Sequence, residues 1–173
     1  MGCDIHIYIE HKVNGSWKNT YKRETCRYSP NYTSPKYTRN YYGFDGRNYF
    51  LFGILAGVRG DETPIDAPRG LPKGVSKYVQ KESDRYGTDG HSRSWFTLKE
   101  LLAYDWSKEY ESNDWRDLNA LQRLKKRLKR RKKEGDEITF GDMVGDFYDT
   151  TLMRLTLLDN DPDNVRLVFW FDS

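Results

Sequence analysis

The chain reads as an α+β domain: a small, mostly antiparallel sheet, made of an N-terminal hairpin and a C-terminal strand, with helices packed on one face. Two stretches predict the sheet. From Cys3 to Glu10 the residues alternate, with Cys3, Ile5, Ile7 and Ile9 on one side and Asp4, His6, Tyr8 and Glu10 on the other, as the period of two in a strand requires. From Val165 to Phe171 the chain is apolar nearly throughout, the pattern of a strand buried on both faces and so central. Between them the patterns are mainly helical, and helices covering one side of an antiparallel sheet define the class.

In order along the chain, Asn14-Gly15 follows the first strand and precedes Trp17. Asn-Gly readily adopts the two positive φ angles of a type I′ turn, so a hairpin is expected. Residues 18–46 are rich in Tyr, Asn, Ser, Thr and Arg, with Pro30 and Pro35 and no sustained period; they form a long tyrosine-rich loop. Arg47 to Val58 is compact and apolar, a short buried helix ending near Gly57. Pro64, Pro68 and Pro72 make Gly60 to Gly74 a loop. A short helix is expected over Val75 to Lys81, then a polar turn over Tyr86 to Gly90. Thr97 and Glu100 stand as a Thr-x-x-Glu capping box ahead of Leu98, Leu101 and Leu102, which starts another helix. Trp115, Leu118, Leu121, Leu124 and Leu128 recur at three- and four-residue steps, predicting a basic amphipathic helix over residues 113–134 that Gly135 stops. Thr139 to Leu158 reads as helical. No internal repeat divides the chain, and its 173 residues suit a single domain spanning 1–173.

Composition sets further bounds. Only 36% of the residues are hydrophobic, but 15% are aromatic, including 13 tyrosines. Each aromatic buries a large area, so a core is possible without disulfides or metal despite a mean hydropathy of -0.92. Two cysteines, Cys3 and Cys26, and an N-terminus without a basic and then apolar leader point to a reducing, intracellular location. The longest apolar run, Phe50 to Val58, is too short to span a bilayer. No membrane association is expected. Nucleotide and redox fingerprints (Gly-x-x-x-x-Gly-Lys-Ser/Thr, Cys-x-x-Cys, Gly-x-Ser-x-Gly) are missing from the sequence, so no cofactor is expected.

The net charge of +3 is unevenly placed. Nine of the eleven residues from Arg123 to Lys133 are Lys or Arg, and without them 20 basic residues face 26 acidic ones. Like charges one helical turn apart repel, so this block calls for a partner: the protein's own acids, a second subunit of a homo-oligomer, another protein, or non-specific nucleic acid bound in a salt-sensitive way.

Three constellations carry possible chemistry. Asp4 and His6 share one strand face in an Asp-x-His spacing seen at metal sites of phosphoesterases, but three histidines in the whole chain are too few for a two-metal ligand set. The plain alternative is that both are hydrogen-bonded at a sheet end. His91, Ser92, Ser94 and Trp95, in His-Ser-Arg-Ser-Trp ahead of the capped helix, offer donors to an anion, or else simple capping. Arg47 beside Asn48, Arg59, and Arg69 in Pro-Arg-Gly sit at loop–helix junctions, where guanidinium forks match phosphate oxygens; surface ion pairing is the alternative for each. Asp159-Asn160-Asp161-Pro162-Asp163 is not a calcium loop, because the twelfth position is Trp170 and not Glu.

Taken together, Cys3-Asp4-Ile5-His6, Arg47-Asn48-Tyr49 leading into Leu51 to Ala56, Pro68-Arg69-Gly70-Leu71-Pro72, Gly90-His91-Ser92 with Ser94-Trp95, and Val165 to Asp172 resemble a family of small phage and prophage proteins of uncharacterised role. The resemblance covers most of the chain apart from the tyrosine-rich loop and the basic helix. The family's fourth motif reads His-Ser-His-Ser-Trp, and Arg93 stands here in place of its second histidine. The resemblance implies phage origin, the cytoplasm of an infected or lysogenic bacterium, and by analogy an anti-defence role against a host signalling nucleotide. The residue reading leads to a binding protein for a phosphorylated, nucleotide-like ligand. Arg47, Asn48, Arg59, Arg69, His91, Ser92, Ser94 and Trp95 would line its site, and a tyrosine would stack. A phosphodiesterase using His6 or His91, and an inhibitor acting through the basic helix, are the alternatives.

Overall fold

The computed structural model describes residues 2–20, 46–111 and 137–172. Residues 21–45, most of the tyrosine-rich loop, and the basic helix expected at 113–134 lie outside the described residues. Four strands form one antiparallel sheet in the order β2-β1-β4-β3: β1 Asp4–Val13, β2 Ser16–Asn19, β3 His91–Thr97 and β4 Val165–Asp172. The fold is α+β, as the alternation and the apolar last strand implied. Asn14 (φ 51°) and Gly15 (φ 74°) make the expected hairpin turn.

β4 lies between β1 and β3, with Ile5, Ile7 and Ile9 opposite Phe171, Phe169 and Leu167. These residues share one face and form the main core with four helices. They are α1 Tyr49–Ala56, α3 Leu98–Ala103, α4 Phe140–Val144 and α5 Met153–Leu155, the last continuing a π-helical segment, Phe147–Leu152. Asn48 caps α1 by accepting from the Leu51 N–H, and Gly57 ends it at φ 65°, where a side chain is disfavoured. Thr97 and Glu100 complete the capping box of α3.

A helix also covers the opposite face. α2, Lys77–Tyr86, sets Val79 against Val168 and Trp170, with Tyr8, Leu71, Val75, Tyr86 and Trp95 around them. β4 is apolar on both sides because both sides are covered. The two core clusters lie on opposite sides of that strand.

Several expectations change in detail. His91 to Trp95, read as a loop before a helix, is most of β3. A bulge between His91 and Ser94 breaks the alternation that would have announced a strand. β2 takes Lys18 and Asn19 from the expected loop. It is a short edge strand of mostly polar residues, and Thr20 extends it by bonding back to the Ile9 carbonyl. The second helix begins at Lys77 and not Val75, and runs five residues past Lys81 to the Gly87 cap. The span Thr139 to Leu158 is not one helix: Thr139 is a cap, and Gly145 at φ 54° interrupts the run. Among the described residues no helix is long and apolar enough to cross a membrane.

Candidate functional site

Strand polarity decides which polar residues meet. In an antiparallel β1-β4-β3 sheet, the start of β1, the end of β4 and the start of β3 fall at one end. Asp4 lies opposite Asp172, and Phe171 is paired with both Ile5 and His91. The segment before α1 reaches the same end: Arg47 Nη2 stands 2.6 Å from Asp4 Oδ1, and the Cys3 N–H donates to Tyr49 Oη at 3.3 Å. The loop after α1 returns there too, since Gly60 packs on Gly53 and the Tyr49 carbonyl and the Arg59 guanidinium faces the Cys3 thiol. Burial pushes that thiol's pKa up, with Arg59 acting against it and Asp172 and Asp4 adding to the rise. Cys3, Asp4, His6, Arg47, Arg59, His91, Ser92 and Asp172 thus collect from five chain segments.

His6 is the most constrained of them. Its Nδ1 lies 3.1 Å from Tyr86 Oη and its Nε2 lies 3.3 Å from Asp172 Oδ2. The latter contact is within ion-pair range without hydrogen-bond alignment, and the buried Nε2 has no aligned partner among the described residues. The Tyr86 ring packs on the imidazole at 4.2 Å. Trp170, fully buried, backs both rings, and its own indole N–H has no partner among the described residues. Burial, then the charge of Asp172, raise the Tyr86 hydroxyl above its ordinary pKa. His91, with Phe171 beside its ring, has Nδ1 3.1 Å from Ser92 Oγ. Three non-glycine residues of the described chain have positive φ. Asn14 is in the hairpin turn, while Arg59 (58°) and Ser92 (50°) are both at this sheet end. Such conformations cluster at functional sites.

The other expected site residues are placed apart. Arg69 bonds to Asp66 at 2.8 Å and Glu100 at 2.7 Å and lies over the Trp95 and Phe96 rings. This is beside the start of α3, at the far end of β3 from His91. Ser94 is buried, and its hydroxyl accepts from the Arg69 N–H. Asn48 is used at both ends, as the α1 cap and as a donor to the Met143 carbonyl. Two carboxylates hold Arg69 and packing holds Ser94 and Trp95, so the convergence of three arginines with His91 reduces to Arg47 and Arg59. Asp4 and His6 do share a face, but among the described residues no group of three His, Cys, Asp or Glu side chains could hold a metal ion. The sequence reading did not single out Asp172 and Tyr86. Their only signals were an acid ending an apolar strand and an aromatic before a turn glycine.

Fold and site together define an α+β protein with an imidazole, carboxylate and guanidinium cluster at one end of its sheet. Compared with protein-family models, curated proteins and solved structures, the chain shows no match.

Proposed function

We propose that this protein binds a phosphorylated, nucleotide-like ligand at the sheet end, through Arg47, Arg59, His91 and Ser92 with His6 beside them. The observation that carries the reading is the contrast between two of the ion-paired arginines, Arg47 and Arg69. The Arg47–Asp4 pair is more than half exposed on both sides, and an exposed pair is worth little against solvent and salt, so a phosphate can take its place. Arg69, held by two carboxylates and stacked on rings, has no such freedom and stays structural. Tyr86 and Tyr8, on the sheet face that His6 occupies, and Tyr49, whose hydroxyl meets the Cys3 N–H, are aromatic surfaces beside the cluster for a base to stack on. In a phage protein of an infected or lysogenic host, capture of such a ligand would withdraw a signalling nucleotide from the host's defences.

Isothermal titration with cyclic mono- and dinucleotides and ADP-ribose tests this. Arg47→Ala should weaken binding about tenfold, the size of one lost charge-assisted contact. Asp4→Asn should tighten it by removing the competing carboxylate, and Arg69→Ala should leave the affinity of the folded protein unchanged. Absence of binding by the unaltered protein across the panel sinks the reading.

A further inference from the structure

Asp172, His6 and Tyr86 are arranged as carboxylate, imidazole and hydroxyl in contact order. That order is what general acid–base chemistry uses: a base within hydrogen-bond reach of an O–H group, and a carboxylate facing the base's other nitrogen. We propose that this trio makes the site hydrolytic towards a phosphodiester, with His6 and Tyr86 as the proton-transfer pair and Asp172 as a positioning residue. The inference rests on a phosphorylated ligand binding at this sheet end.

The tautomer follows from the neighbours. A carboxylate facing Nε2 favours a proton there, which leaves the Nδ1 lone pair to accept from the Tyr86 O–H. The Tyr86 hydroxyl stays protonated at neutral pH, because burial and the Asp172 charge both oppose its ionisation. It is therefore an acid, and Nδ1 is a base, 3.1 Å apart. A water in place of the Tyr86 contact gives its proton to Nδ1 as its oxygen bonds to phosphorus. The bond from phosphorus to the leaving oxygen breaks, and Tyr86 protonates that oxygen. The imidazolium, its charge offset by the Asp172 carboxylate, then returns its proton to the phenolate as the Tyr86 contact re-forms. One water is consumed, one phosphoester becomes an acid and an alcohol, and the trio ends as it began. Trp170 closes the rear of the pair with an apolar ring, which keeps bulk water off that side.

The leaving group separates the roles. The protein is assayed on cyclic AMP and a cyclic dinucleotide, whose alkoxide leaving groups need a proton, and on bis(para-nitrophenyl) phosphate, whose leaving group does not. His6→Gln should slow all three by about a hundredfold or more, the usual scale for such catalysis. Tyr86→Phe should slow the cyclic nucleotides to that degree and leave nitrophenolate release nearly unchanged. Asp172→Asn should lower kcat, referred to the folded fraction, with little change in KM, whereas a disordered site would raise KM as well. Circular dichroism establishes that each variant folds. A nucleotide bound by the unaltered protein and recovered intact by chromatography overturns the hydrolytic proposal and leaves the binding reading standing. Absence of both binding and turnover removes both. Equal slowing of all three substrates by Tyr86→Phe overturns its part as the acid.

Discussion

Glu10 and Arg166 are only 0% and 3% exposed, on the face of the sheet that α2 covers. Oε2 of Glu10 accepts from Arg166 Nε at 2.8 Å, and Oε1 accepts from the Ser76 N–H at 2.7 Å, at the start of α2. The guanidinium lies 3.9 Å from the Trp17 ring centroid. Burial lowers the Arg166 pKa and Glu10 opposes that shift; the arginine stays charged because its ordinary value is so high. The pair joins β1, β4, the Trp17 hairpin and α2. Removing one partner strands a buried charge, at about 3–5 kcal/mol. Glu10→Ala should therefore lower the urea midpoint sharply. Glu10→Leu combined with Arg166→Met should recover most of the loss, since well-packed apolar residues often replace buried pairs at little cost. A double variant no more stable than Glu10→Ala would show that the hydrogen bond to α2, and not the charge, is what matters. Neither residue stood out in the sequence. Glu10 falls on the polar side of an alternating strand, where nothing distinguishes an exposed acid from a buried one, and the partner that buries it is 156 residues away.

At the scale of single elements, legibility tracked local chemistry. The Asn14-Gly15 turn, the α1 stop at Gly57 and the Thr97–Glu100 box were readable because each is decided within four residues. β3 was not, because its bulge removes the alternation and its polar residues are satisfied from elsewhere. Arg93 alone bonds Ser83 Oγ and the carbonyls of Ser83, Gly87 and Gly90. It thereby ties the end of α2, and Tyr86 with it, to the strand that carries His91. The α3 box has a pH signature of its own. Burial pushes the Glu100 carboxyl up, but the Thr97 N–H, Arg69 and the Thr97 hydroxyl outweigh it, and its pKa lies below the ordinary value. A depressed folded-state pKa means the unfolded chain binds the proton more readily. The stabilisation is thus complete above the ordinary carboxylate range and is lost as pH falls through the lower, folded value. Glu100→Gln should lower Tm at neutral pH, a loss of about 1 kcal/mol for a weakened cap and ion pair. It should also flatten the fall of Tm between neutral and acid pH. An unchanged acid limb would show that the box and its arginine do not contribute to it.

For the whole molecule, the decisive feature is that β4 has a packed layer on each side. An apolar run predicted its central position, but the sequence offered no way to tell which helix lay behind it, because α2 is polar except for the residues that touch the sheet. The site escaped in the same way. Its members were mostly visible one by one, but their meeting depends on three strands running in alternating directions, which only the topology supplies. Two layers make a quantitative demand. Phe169 faces the main core and Trp170 faces α2, and both are fully buried. If the α2 layer is as firmly packed as the main core, Phe169→Ala and Trp170→Ala should each cost about 3–5 kcal/mol in denaturant unfolding. If α2 rests loosely on the sheet, the Trp170 change should cost far less than the Phe169 change. Amide exchange gives an independent reading, since a strand paired on both edges and covered on both faces opens only with global unfolding. Amides of β4 should exchange slowest and those of the short edge strand β2 much sooner. Fast exchange across Val168 to Phe171 would mean that the sheet opens around β4 short of global unfolding, and with it the wall behind His6.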